Sequence, residues 1–387
     1  MKHAIEILAK SINWQFLPKL AEQVIQDAIA IQQIPAPTFS EQARAQYVAA
    51  QFARLGLQQI EIDSLANVTA CWTAKTPSPN RGILVSAHTD TVFSKDTDLT
   101  IRRENNHIYG PGLGDNSIGV AGILGLISAL QSLNVQPARD LWFTANTCEE
   151  GLGDLAGMKA VFKQLRQQIG LILNLEGMAF GHVYHAGIAV RRLHIRATGE
   201  GGHSWLNFGR TSAIHGIMQL GAKITSLAPP ENPRTTYNIG LIEGGQSINT
   251  IATDASLWLD MRSEQAEALN TLENSVRKIV RQVEQPGLQF SIKVVGDRPS
   301  GALSTEHPLV QTALSVLEHL GIKGTLESGS TDANIPLANG CPAVTVGITR
   351  GGNAHREDEY IETQPVSQGM QQLILLTLAA LSSDRMG

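Results

Sequence analysis

Apolar positions along the chain follow two rhythms. Across 17–31 and 39–57 they recur at three- and four-residue spacing, which predicts two helices. The proline-bearing stretch between them, from Ile34, reads as a loop, and Ser40 with Glu41 suits a helix start. Short apolar runs then alternate with helical patterns. Strands are expected at 59–62, 68–73, 83–87, 141–145 and 171–175, and helices at 119–133 and 158–168. Such alternation predicts an α/β fold, a sheet covered by helices on both faces.

After Gly177 the pattern changes. Strands are expected at 190–198, 235–242, 255–262 and 288–295, with helices at 212–227 and 264–283. The order β-α-β-β-α-β is that of a ferredoxin-like α+β unit. It holds a complete set of elements, so it reads as an insertion. A helix at 307–320, a strand at 343–348 and a helix at 366–381 resume the first pattern. The expected division is 1–185 and 297–387 as one domain, with 186–296 inserted into it.

Composition narrows the class. A chain of 387 residues exceeds one ordinary core, and 42% hydrophobic with 17% charged residues is globular. The net charge of -5, without a Lys/Arg run, argues against nucleic acid as a partner. The N-terminal stretch lacks the basic, apolar and small-residue succession of a signal peptide. The longest apolar run contains glycines and reads as too short for a bilayer, so no membrane partner is expected. Cys71, Cys148 and Cys341 are widely spaced, which suits small core thiols in a reducing cytoplasm.

Candidate chemistry gathers at the ends of expected strands. His88 and Asp90 follow the strand at 83–87, and at i and i+2 of an extended segment they share a face. Glu149 and Glu150 follow the next strand, Glu176 the one after, and His355 follows the late strand across a glycine-bearing loop. Asp115 sits in the glycine-rich loop before the apolar helix, where it serves either as a helix cap or as a ligand. Ligands bind at the carboxyl ends of strands in open α/β sheets. Five acids and two histidines converging there cannot stay charged and unpaired, and a divalent metal is the simplest remedy. Imidazole with carboxylate and no thiolate suits zinc, cobalt or manganese. Two histidines among many carboxylates also fit two ions sharing a bridging carboxylate. Adjacent residues of an extended backbone point to opposite sides, so Glu149 and Glu150 should differ in role.

These residues resemble a known family. His88-Thr-Asp90, Gly114-Asp-Asn with its apolar helix, Thr147-Cys-Glu-Glu-Gly-Leu-Gly153, Asn174-Leu-Glu-Gly177, Gly201-Gly-His-Ser204 and His355 look like the di-zinc peptidases and deacylases. That family includes peptidase T, glutamate carboxypeptidase, acetylornithine deacetylase, succinyl-diaminopimelate desuccinylase and aminoacylase. The resemblance implies a zinc-exopeptidase-like catalytic domain, a mixed sheet with helices on both faces, and an inserted ferredoxin-like lid or dimerisation domain. It implies two Zn2+ per chain, with Co2+ or Mn2+ as substitutes. Asp115 would bridge them, His88 and Glu176 would complete one site, and Glu150 and His355 the other. Asp90 would fix the tautomer of His88. Glu149 would be the general base on metal-activated water, returning the proton to the leaving amine. His203 would stabilise the oxyanion, often across a dimer interface.

Two further segments, from Ser328 to Asn334 and from Gly244 to Asn249, match family loops lining the cleft. Asn249 and Arg262 are implied as binders of substrate backbone or carboxylate. Asn116-Ser117 stands where many members carry Lys-Gly. The implied activity is hydrolysis of an amide bond in small peptides or N-acyl amino acids, with a peptidase-T-like exopeptidase (aminopeptidase) favoured. The alternatives are a deacylase or carboxypeptidase of the same family, a single-ion site, and a non-catalytic peptide-binding protein on the same fold. A homodimer through the lid is expected, from the resemblance and from apolar elements such as 214–224. The remaining histidines have no partner motif and read as surface or core residues, and Trp205 reads as a buried aromatic.

Overall fold

The computed structural model describes residues 2–76, 78, 80–383 and 386. The chain separates into two compact units, Met1–Gly187 with Gly301–Gly387, and Ile188–Ser300. The breaks expected after 185 and 296 fall slightly later. A strand completes the first unit's sheet as far as Gly187, and the last strand of the second unit runs on to Arg298.

The first unit begins with helices α1 (Lys2–Lys10), α2 (Leu17–Gln32) and α3 (Gln42–Arg54). Strands β1 (Gln58–Ile62), β2 (Val68–Trp72), β3 (Gly82–His88), β4 (Arg102–Glu104) and β5 (His107–Tyr109) follow, then helix α4 (Ile118–Ser132). Next come β6 (Leu141–Asn146), α5 (Ala156–Leu165), β7 (Ile169–Leu175) and β8 (His182–Gly187). The second unit holds β9 (Ala189–Thr198), β10 (Gly202–His203), α6 (Ala213–Ile224), β11 (Thr235–Gly244), β12 (Thr250–Ile251), β13 (Asp254–Ser263), α7 (Ala266–Val283) and β14 (Gln289–Arg298). The first unit resumes with β15 (Gly301–Ala302), α8 (Pro308–His319), β16 (Thr325–Gly329), α9 (Asn334–Ala338), β17 (Ala343–Val346), β18 (Gly351–Gly352), β19 (Tyr360–Glu362) and α10 (Pro365–Leu381).

The large sheet of the first unit has the order β1-β2-β6-β3-β7-β17-β8-β15, with β16 also on β8. Its centre, β6-β3-β7-β17, is parallel, and every residue of these four strands is buried. Continuous apolar runs such as Ile83-Leu-Val suit strands covered on both faces. β8 and β16 had no strand expectation, because their polar residues, His182 and Glu327 among them, mask the pattern. A small antiparallel sheet, β18-β19-β5-β4, is likewise too short to carry a rhythm.

Helix α4 is buried on nearly every side. A tight turn, Leu113–Ser117, lengthens it, so Leu113–Ser132 is long and apolar enough to cross a membrane by length and composition. This corrects the expectation that the run is too short. The helix is a core element, 89% buried within the fold.

The second unit is a four-stranded antiparallel sheet, β11-β13-β9-β14, packed against α6 and α7. Ile217, Leu220 and Ile224 of α6 are buried in this unit's own core. They are therefore not the free apolar surface expected of that helix. Exposed apolar groups of this unit include Met218 on α6, Leu241 and Ile242 on edge strand β11, Val294 on β14, and Leu206, Phe208 and Ile248 in turns. Trp205 is 84% exposed, against its reading as a buried aromatic, because it occupies the tip after β10.

Close packing in the first unit makes one position sensitive. A Cβ on Gly369 of α10 would lie 1.9 Å from the Ile348 carbonyl oxygen. Backbone cannot swing aside as a side chain can, so Gly369→Ala should overpack the core at a cost of about 1–3 kcal/mol. Thermal unfolding should then shift down by several degrees, and an unchanged midpoint would contradict this packing.

Candidate metal centre

Four parallel strands lie side by side, so their carboxyl ends meet. β3 ends at His88, β6 is followed by Glu149 and Glu150, and β7 by Glu176. His355 arrives after β17 and β18, and Asp115 comes from the turn that opens α4. Asp115 makes no capping bond to the helix, which removes the cap reading. Its two oxygens face different histidines. Oδ1 lies 3.1 Å from His88 Nε2, and Oδ2 lies 3.1 Å from His355 Nε2. His88 Nε2 is also 3.6 Å from Glu176 Oε2, and His355 Nε2 is 3.1 Å from Glu150 Oε1.

Among the described residues, three groups could each hold an ion. They are His88–Asp115–Glu176, Asp115–Glu150–His355 and His88–Glu149–Glu150, with donor atoms within 4.8 Å of one another. Two donors on one tetrahedral zinc, each about 2.0–2.2 Å away, lie roughly 3.3 Å apart. The histidine-to-carboxylate spacings in the first two groups, 3.1–3.6 Å, fit that edge, and Asp115 belongs to both.

The electrostatics agree. Burial alone would push the His88 imidazole down, but Asp115, Asp90 and Glu176 hold it well above its usual range. Burial would raise Asp115, yet His355 and His88 keep its carboxyl well below the ordinary range. Asp115 and Glu150 raise His355 to about 10, against the opposing effect of burial. Burial raises Glu176, with His88 working against it. In the metal-free chain the surrounding carboxylates thus favour the protonated form of each histidine.

Other side chains hold the ligand-bearing loops. Asp90 accepts hydrogen bonds from the Glu149 and Glu150 amides at 2.9 and 3.0 Å and from Thr38 Oγ1 at 2.9 Å. The nearest acceptor to His88 Nδ1 is the Asp90 backbone oxygen, at 3.1 Å, with the carboxylate at 3.6 Å. Cys148, just before the glutamate pair, adopts φ +57°, and its amide donates to buried Glu41 at 3.3 Å. Such a backbone is costly for a residue with a Cβ and persists only when surroundings enforce it. The fully buried Arg44 donates to the Thr89 carbonyl at 2.6 Å. Asp332, raised to about 7 by burial, accepts from Asn146 at 2.6 Å behind the same loop. Sequence reasoning missed Glu41, Arg44 and Asp332 as supports. Arg44 looks like a solvated helix position, and only the Ser328–Asn334 loop gave a signal.

His203, Asn249 and Arg262 belong to the second unit. Within it, His203 Nδ1 accepts from the Trp205 amide at 3.2 Å, and Asn249 accepts from Ser247 Oγ at 2.6 Å. Arg262 Nε donates to Asp260 at 2.7 Å.

The profile of peptidase family M20/M25/M40 matches residues 84–378. The chain belongs to this family. It is a metallohydrolase. Among curated family relatives, an acetylornithine deacetylase of Aliivibrio salmonicida is 27% identical over 325 residues, 78% of this chain and 82% of that protein. Among solved structures, a tripeptidase of Staphylococcus aureus superposes with a TM-score of 0.78 at 18% identity, covering 94% of this chain and 99% of that one. A Bacillus subtilis protein described as a dinuclear metal-binding peptidase of family M20 gives 0.68 at 16% identity, over 94% of this chain and 99% of its own. These structural likenesses show that the chain shares the fold of those proteins.

The metal-free M20 chain should show a distinct pH response. His355 is raised from 6.5 to about 10 in the folded state. A raised pKa adds stability that is complete below the ordinary value and is lost as pH rises through the folded value. Thermal stability without metal should therefore fall between about pH 7 and 10. Metal uptake must displace the same proton, so affinity should rise over that interval. Calorimetry at pH 7.5 in buffers of different ionisation enthalpy should detect proton release, and its absence would contradict the histidine assignment.

Proposed function

We propose that the chain is a di-zinc hydrolase that cleaves an amide bond in a small peptide or N-acyl amino acid. The observation that carries this is Asp115, whose two carboxylate oxygens each face a different histidine at 3.1 Å. His88, Asp115 and Glu176 would hold one ion, and Asp115, Glu150 and His355 the other, with Co2+ or Mn2+ able to substitute. Two such ions, when bound, polarise the scissile carbonyl and lower the pKa of the attacking water toward ~7. Glu149 takes the proton from that water as its oxygen bonds to the carbonyl carbon. It delivers the proton to the leaving nitrogen as the C–N bond breaks. Asp90, by accepting both glutamate amides, fixes the backbone that carries Glu149 and Glu150.

His203 serves as the oxyanion donor in this reading, and Asn249 and Arg262 as substrate binders. A peptidase-T-like exopeptidase acting on a free amino terminus is the first reading of substrate. Solved tripeptidase and PepT folds support it. Deacylation of an N-acyl amino acid is the second, favoured by curated relatives named acetylornithine deacetylase. Dimerisation would run through the lid, along edge strand β11 with Leu241 and Ile242 exposed. An open strand edge of this kind invites pairing with a second copy.

Glu149→Gln should lower kcat by about 10²–10⁴-fold with KM and metal content retained. Survival of near-normal turnover would remove Glu149 as the base. A panel of free tripeptides, N-acetyl amino acids and end-blocked dipeptides separates the substrate readings. Turnover restricted to free amino termini supports the exopeptidase, and turnover of N-acetyl substrates supports the deacylase. Light scattering should return twice the 41.6 kDa chain mass, falling to one chain in Leu241→Glu. A monomeric parent protein would contradict the lid-mediated dimer.

A further inference from the structure

The segment bearing Asp115 is tied to its neighbours by two residues outside the ligand set. Asn116 is fully buried. Its Nδ2 donates to the Leu175 carbonyl at 2.8 Å, and its Oδ1 accepts from the Gly177 amide at 2.8 Å. Those two peptide groups flank Glu176. One side chain thus grips the backbone on both sides of a ligand, and fixes it relative to the Asp115 next door. Gly119 and Gly177 make room for this grip. A Cβ on Gly119 would lie 2.1 Å from Asn116 Oδ1, and one on Gly177 would lie 2.2 Å from the Gly114 carbonyl oxygen.

Glu359 performs the matching task on the other side. It is fully buried, and its Oε1 accepts from the Gly114 amide at 2.7 Å and the Asp115 amide at 3.0 Å. The Glu359 backbone oxygen accepts from Gly110 at 2.8 Å. Glu359 shares the short segment between β18 and β19 with His355, so its carboxylate joins the Asp115 loop to the stretch that carries His355. The bonds from Oε1 to the Gly114 and Asp115 amides are what Glu359 supplies to the loop.

We propose that Asn116 and Glu359 are positioning residues that set the two metal affinities separately. Asn116 governs the His88–Asp115–Glu176 group and Glu359 the Asp115–Glu150–His355 group. The inference rests on the two-ion reading of the site. Its physical basis is that ligands must be held at fixed separations before an ion arrives, and loss of an outer hydrogen bond costs about 10- to 100-fold in affinity. Asp115 is common to both groups, so each substitution should weigh mainly, not solely, on its own ion.

Co2+ titration against a chromophoric chelator tests this. The parent chain should bind two ions in two steps, and His355→Ala should delete one, which identifies it. A parent chain that binds fewer than two ions removes the two-ion reading itself, and the positioning proposal with it. Given two steps, Asn116→Ala should weaken the step that survives in His355→Ala by about 10- to 100-fold. Glu359→Ala should weaken the other by a similar factor. Glu359→Gln keeps an oxygen able to accept both amides and should restore the second step. Unchanged affinities, equal losses at both steps, or a Gln variant no better than Ala would overturn the assignment with the two-ion reading intact. Should an alanine variant fail to fold, amide exchange on the unmutated, metal-stripped chain decides. Gly114, Asp115 and Gly177 amides should remain protected, and exchange at the rate of open loops would overturn the proposal.

Discussion

One carboxylate shared between two histidines organises the first unit. Asp115 lies part-buried among other acids, and His88 and His355 face its two oxygens from distant chain segments. That sharing forces segments distant in sequence to one point. The glycines around Asp115 let its loop pass close to the Glu176 turn, and the apolar α4 behind it anchors the loop in the core. The carboxylates of Glu41, Asp90 and Glu359 each accept backbone amides of a loop that bears a candidate ligand or base. The site is preorganised by hydrogen bonds from its surroundings, as a divalent cation among several carboxylates demands.

The parallel centre of the sheet explains why the site lies where it does. Four strands end together, and each end releases the chain into a loop that carries one or two candidate ligands. The same arrangement serves any reaction in which water attacks a polarised carbonyl. Relatives named for peptides and for acetylornithine both align with this chain.

Much of this was legible in the sequence. The buried strands at β3, β6, β7 and β17 are unbroken apolar runs, and His88, Glu149, Glu150 and Glu176 stand directly at their ends, so rhythm and chemistry pointed to one place. The ferredoxin-like order of the second unit was equally plain from its alternating strands. What escaped had physical reasons. Strands β8 and β16 carry polar side chains and owe their place to pairing rather than burial. Arg44 and Glu41 sit at the start of a helix that looks solvated, yet both are buried beneath the Asp90 segment. Asn116 stood in the sequence only as part of the Gly114-Asp-Asn motif and of the Asn116-Ser117 departure, and its grip on both sides of Glu176 required the loop's conformation. Trp205 misled because an aromatic side chain ordinarily signals core, whereas here it projects from a turn at 84% exposure.

The account stands on two ions sharing Asp115. Electron paramagnetic resonance of the Mn2+-loaded chain, titrated from one to two ions per chain, tests that claim most directly. A spin-coupled pair appearing as the second ion binds is the predicted result, with the coupling lost in Asp115→Asn. Saturation at one ion, or two ions whose spectra remain uncoupled, would contradict the shared carboxylate on which the site is built.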